Sequence, residues 1–263
     1  MLWKVGTTSY SLKMDCSPFI NLLILLEMVY FNFWLSLLSL LVPVVGGFYF
    51  LQKWLVSQRK HAYFLFFGLS LLFILLFKVP NILINAGLEI LPTSLNPYFL
   101  ITLTLHLVSF YFLVKGFLHF YQQSQRKVEP FFYSLVTLLL VYYFISFFVP
   151  FAPFPLPVWL GHIFFFIPAQ LITLLIFYKI NNTALGLNSV RSKFFIIWSL
   201  YLLFATSIAY IYTQTGPSSQ TLWYVYVTLS WGISALQIFS MFFLFLGLYF
   251  MTKEKTRSTT TRS

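Results

Sequence analysis

Apolar runs of roughly twenty residues follow one another along this chain, each long enough to cross the hydrocarbon core of a bilayer. Seven qualify, at about 29–51, 62–79, 98–118, 131–150, 157–178, 194–213 and 223–250. None alternates apolar and polar residues as the strands of a membrane barrel do. Each therefore predicts a helix, which closes its backbone hydrogen bonds within itself. The expected fold is an all-α integral membrane protein, a seven-transmembrane-helix bundle.

The breaks between these runs carry charge in a regular order. Lys53, Arg59 and Lys60 stand in the first, Arg126 and Lys127 in the third, Lys179, Arg191 and Lys193 in the fifth, and Lys253, Lys255, Arg257 and Arg262 in the tail. The second, fourth and sixth breaks hold almost none, Lys78 being the main exception. Basic residues stay on the cytoplasmic side, so the N-terminus is expected outside and the C-terminus in the cytoplasm, in a cell (plasma) membrane. An even number of crossings would spoil this alternation.

Three regions result: an extracytoplasmic or interfacial segment over 1–28, the seven-helix membrane domain over 29–251, and a basic, disordered cytoplasmic tail over 252–263. The stretch PFINLLILL (18–26) is apolar but too short to cross. It either lies in the interface or extends the first helix outward. No small-residue cleavage site follows it, which argues against a signal peptide, and Met28 is an alternative start. The connection 79–97 has room for a short interfacial helix. The turn from Pro150 to Pro157 holds four prolines in eight residues and should be stiff. Asn181-Asn182-Thr183 matches a glycosylation acceptor but falls on the expected cytoplasmic side.

Composition agrees with lipid as the solvent. The chain is 60% hydrophobic and 8% charged, against about a quarter charged in soluble domains. The net charge of +11 is read as loop charge beside anionic lipid. No basic domain stands outside the apolar runs to hold nucleic acid. A single cysteine, Cys16, forms no internal disulfide.

Polar positions inside the spans fall into stripes at helical spacing. They are Asn32, Ser36, Ser39, Pro43 and Gly46 in the first; Thr102, His106 and Ser109, then Leu113 and Gly116, in the third; Ser199, Thr206, Tyr210 and Thr213 in the sixth; and Tyr226, Ser230, Ser234, Gln237 and Met241 in the seventh. Positions three or four apart share a face. The plain reading of each stripe is helix packing. The alternative is a polar cavity enclosed by spans one, three, six and seven. The candidate ligand-binding residues are then His106, Thr102, Ser109, Asn32, Tyr210, Ser234 and Gln237, with Trp231 as an apolar wall.

The stretch FLITLTLHLVSFYFLVKGFLHFY (99–121) sharpens that choice. Lys115 and His119 lie near the cytoplasmic end, where long cations reach the headgroups. His106 lies about 12 Å into the span at 1.5 Å per residue. It cannot reach either surface. Ionisable groups at such depth mark function by default, and the plain alternative is a histidine hydrogen-bonded to a neighbouring hydroxyl or to Gln237.

The sequence withholds most chemistry. Its acids are Asp15, Glu27, Glu89, Glu129 and Glu254, none deep in a span, which argues against ion-coupled transport and against the acid–base pair of a hydrolase. No enzyme activity is expected. A retinal Schiff base needs a lysine in the middle of the last helix, and Lys253 lies beyond its end. The histidines His61, His106, His119 and His162 are scattered, so no metal site is expected; a zinc site wants three or four ligands. No cofactor is expected, with haem between His106 and His162 kept as an alternative. The function expected is receptor-like or sensor-like: a small apolar or amphipathic ligand bound between helices, with output through a signalling or assembly partner. Three alternatives stand beside it: a facilitative carrier of a neutral solute, a haem-binding electron-transfer subunit, and a structural subunit of a membrane complex.

Overall fold

The computed structural model describes residues 18–85, 96–123, 128–148, 160–183, 190–214 and 220–260. These residues form seven helices: α1 (Pro18–Val56), α2 (Ala62–Asn85), α3 (Asn96–Phe120), α4 (Val128–Phe148), α5 (Ile167–Thr183), α6 (Val190–Gln214) and α7 (Gln220–Thr260). A π turn, His162–Phe166, leads directly into α5. Five stretches, Leu37–Val56, Leu103–Phe120, Ile163–Ile180, Val190–Ala209 and Gly232–Lys253, are long and apolar enough to cross a membrane, which marks a multi-pass membrane protein. Ala62–Leu76 and Val128–Tyr142 are shorter apolar helices.

Helix length departs from span length at both ends of the chain. The stretch 18–26 is part of α1, and Glu27 does not interrupt it. Where a disordered tail is expected from residue 252, α7 continues as helix to Thr260. Hydropathy reports where a helix meets lipid, not where its hydrogen bonds end. Residues 1–17, most of the second connection (86–95) and the proline-rich turn (149–159) lie outside the described residues.

Side-chain pairings fix the helix directions. Phe50 of α1 meets both Phe64 and Phe67 of α2, and Gly46 meets Leu71, so α1 and α2 are antiparallel. Tyr63 meets Phe120 and Ser70 meets Ser109, which sets α3 antiparallel to α2. His106 meets Phe166 and Phe117 meets Phe177, so α5 runs parallel to α3. Ser199 pairs with Ser240 and Ile196 with Gly247, so α7 runs against α6. Gly46 packs on Phe245 and Tyr49 on Tyr249, so α7 returns parallel to α1. The order α1–α2–α3–α5–α6–α7 closes on itself, and α4 packs mainly on α3.

This arrangement gathers Lys53, Arg59, Lys60, Lys115, Lys179, Arg191, Lys193 and Lys253 at one end of the bundle, called here the basic end. Two turns at that end carry left-handed residues: Gln58 (φ 51°) and Arg59 (φ 62°) after α1, and Gln122 (φ 56°) after α3. Each closes its helix by a long-reach bond, Arg59 N–H to the Trp54 carbonyl at 3.1 Å and Gln123 N–H to that of Leu118 at 2.8 Å. The reversal satisfies carbonyls that the helix end leaves open.

In lipid the bundle gains little from hiding apolar groups, so close packing holds it together. Fully buried Phe50, Phe67, Phe117 and Phe177 form a ladder from α1 to α5, with ring centroids 5.9, 5.6 and 4.8 Å apart. Such ring pairs contribute about 0.5–1.5 kcal/mol each. Glycines bring the helices within reach. A Cβ on Gly116 would run into the Phe67 ring, and one on Gly247 would lie 3.0 Å from the Ile196 backbone nitrogen. Leu41, Val45 and Phe48 on α1, with Leu138, Val141 and Phe144 on α4, stay exposed, as a lipid-facing surface requires.

Candidate ligand site

The polar stripes serve two ends. On α3, Ser109 turns to α2: its hydroxyl donates to the Ser70 carbonyl at 2.9 Å and lies 3.3 Å from the Ser70 hydroxyl. On α7, Ser240 donates to the Ser199 carbonyl at 3.0 Å. Ser39, Pro43 and Gly46 of α1 are buried among neighbouring helices. These positions do what the plain reading of the stripes says: small polar residues join helices.

His106 is different. It is 6% exposed and faces the π turn rather than α2. Its ring lies parallel to that of Phe110 (centroids 5.5 Å, 5°) and receives Phe166 edge-on at 4.1 Å. Phe166 closes the π turn. Pro168 follows two residues later and has no N–H to give the carbonyl of Phe164, so the α ladder is interrupted there. A π turn holds one residue more than the ladder needs, and such turns recur at functional sites.

One turn after Phe166, on the same face, stands Gln170. It is 2% exposed. Its Nε2 donates to Ser207 Oγ of α6 at 2.8 Å and approaches the Leu203 carbonyl at 3.5 Å. Ser207 passes its own hydrogen to the same carbonyl at 2.9 Å. These two acceptors fix which end of the amide is the donor. The other end, Gln170 Oε1, is buried and has no hydrogen-bond partner among the described residues. An unmet buried acceptor costs about 1–3 kcal/mol. The Thr104 and Ser199 hydroxyls are also buried and, among the described residues, unpartnered.

The other expected ligand residues are spread more widely. Ser234 and Gln237 are half-buried on α7, which packs mainly on α6 and α1, whereas α3 packs on α2, α4 and α5. Asn32, Thr102, Tyr210 and Trp231 belong to helices, but their side chains lie outside the described residues. His162, the second ligand of the haem alternative, opens the π turn, and its side chain is likewise outside them. Phe166, Gln170 and Ser207 are thus the additions that structure makes. An amide is the most demanding neutral side chain to place in lipid, since it carries two donors and an acceptor. That was the signal available for Gln170.

Lys115 also finds more than headgroups. Its Nζ lies 3.0 Å from Glu129 Oε1 of α4 and donates to the Tyr111 hydroxyl at 3.0 Å. It sits 5.3 Å above the rings of both Phe66 and Tyr111. Tyr133 adds a hydroxyl 3.3 Å from that of Tyr111. His119 stacks on Phe66 at 4.8 Å. Both charges stand within two turns of one connection, where an antiparallel hairpin brings them together.

A scan of protein-family models, a search of curated proteins and a search of solved structures each return no match for this chain.

Proposed function

We propose that the chain crosses the membrane seven times, N-terminus outside and C-terminus in the cytoplasm, and that it is a receptor-like or sensor-like protein of the plasma membrane. Its task is binding rather than catalysis. The molecule bound is small and apolar or amphipathic, carries one hydrogen-bond donor, and enters between α3, α5 and α6. Output passes to a partner protein. The alternation of helix directions and the collection of cations at one end support the topology.

The observation that carries the binding reading is Gln170 Oε1. A buried acceptor, held by the bonds of its own amide nitrogen and one helical turn from Phe166, suits a donor on an apolar body. The test is to purify wild type and Gln170→Leu in the same detergent, extract each with organic solvent, and compare the extracts by mass spectrometry. A compound retained by wild type and lost in Gln170→Leu is the expected result. Identical extracts would remove the proposal. Downhill uptake of that compound into proteoliposomes would turn the sensor into a facilitative carrier. Reactivity of tags at the two chain ends from opposite sides of the membrane is expected; reactivity from one side overturns the topology.

A further inference from the structure

At the basic end α1 and α7 carry matching ladders. On α1, Tyr49 is followed one turn later by Lys53, whose Nζ lies 5.7 Å from the Tyr49 ring centre. On α7, Tyr249 is followed one turn later by Lys253, with Nζ 5.4 Å from its ring centre and 3.4 Å from its hydroxyl. The two tyrosine rings are 5.8 Å apart. Gly46 makes this approach feasible, since a Cβ there would stand 2.8 Å from Phe245. Phe245 in turn lies 6.0 Å from Tyr49 and 6.3 Å from Tyr249, closing the aromatic floor.

Among the described side chains the charge in this corner is one-sided. Both lysines are exposed, and among the described residues the one ion pair is Lys115 with Glu129, elsewhere in the bundle. Two ammonium groups held on adjoining rings repel each other, so something must favour the pairing. Helix dipoles do so for Lys53, which lies in the last turn of α1. They do not for Lys253, because α7 runs on to Thr260 and the effect fades beyond the last turn. Arg59, at 5.5 Å from the Trp54 ring, places a third cation at the same end of α1.

We infer that the α1–α7 corner is a headgroup site for an anionic phospholipid of the leaflet at the basic end. The phosphate sits between Lys53 and Lys253, the tyrosine hydroxyls line it, and the acyl chains run along exposed Phe48 and Val45 of α1. Tyrosine suits this depth, having an apolar body and a polar tip. The site depends on the chain's being in a bilayer and is independent of ligand binding near Gln170.

The test measures thermal unfolding of the purified protein with added short-chain phosphatidylglycerol, short-chain phosphatidylcholine or inorganic phosphate. The expected result is an upward shift with phosphatidylglycerol alone. Each lysine near an anionic headgroup contributes roughly a fivefold factor in affinity, so the double variant Lys53→Gln, Lys253→Gln should bind roughly twenty-five-fold more weakly. The pair Lys179→Gln, Lys193→Gln removes the same charge from another part of the basic end and should keep the shift. Equal loss in that control pair would mean diffuse attraction and no site. An equal response to inorganic phosphate would identify a free anion as the occupant and overturn the lipid. Native mass spectrometry, counting retained phosphatidylglycerol on wild type and both pairs, gives a second readout should one variant be unstable. Retention undiminished in Lys53→Gln, Lys253→Gln also overturns the site.

Discussion

The seam between α2 and α3 and the seam between α5 and α6 use similar materials and finish differently. In the first, Ser109 bonds to Ser70, Gly116 lets Phe67 close over it, and neither serine hydroxyl is left over. In the second, Gln170 bonds to Ser207 and Leu203 and keeps one buried oxygen unanswered. A hydroxyl is small enough to satisfy itself on whichever carbonyl is near. An amide spends its two ends separately, and a seam that needs only one of them leaves the other available. The first seam answers both of its hydroxyls; the second leaves one amide oxygen over among the described residues.

The sharpest way to break this comparison is steric. Gly116→Leu drives a side chain into Phe67 and should cost about 3 kcal/mol or more, seen as loss of the folded-protein peak on size exclusion in detergent. A protein that stays folded would show that the α2–α3 seam is looser than its geometry. The next test reads opposite signs. Ser109→Ala should lower stability by about 0.6 kcal/mol, the mean for a hydrogen bond between membrane helices. Gln170→Leu should leave stability level or raise it by about 1 kcal/mol, since an unmet acceptor goes with the bonds. Thermal unfolding of both in one detergent checks the pair, and a stability loss in Gln170→Leu matching that of Ser109→Ala would make the two seams alike.

Between α3 and α4 the link is ionic, and weaker. Lys115 and Glu129 are 23% and 34% exposed, so a double-mutant cycle with Lys115→Met and Glu129→Gln should give a coupling below about 1 kcal/mol, diminished by salt. The smallest effect expected is at the turn that ends α3. Gln122 holds a left-handed backbone, so Gln122→Gly should add about 0.5–1 kcal/mol. The unfolding midpoint should rise by a few degrees without altering either seam.

The helices were legible because lipid leaves the backbone no other choice: an apolar run bounded by charge has to close its own hydrogen bonds. The ends were not. Glu27 looks like a boundary by polarity, yet a carboxylate is a good helix former once the chain is out of lipid, and α1 continues through it to Pro18. The basic tail reads as disordered by composition, yet it inherits a nucleated helix from α7, and propagation is easy where nucleation is already done. At the candidate site, the depth of His106 was legible from counting residues. Its partner Phe166 was not, because the surplus residue of the π turn changes which side chains of that helix face α3. Ser207 escaped for a related reason. It stands one position off the stripe of Ser199 and Thr206, and only the rotation of α6 against α5 brings it to Gln170.

The extra residue stored at His162–Phe166 gives α5 a mechanical property that the straight helices lack. Shifting that surplus by one place along the helix turns the residue it passes by about 100°, while the segments before and after it keep their mutual orientation. Gln170 would stay against α6 while another ring replaced Phe166 in front of His106. An occupant preferring one placement to the other would work such a helix as a key works a tumbler, turning one side chain while the remainder holds still.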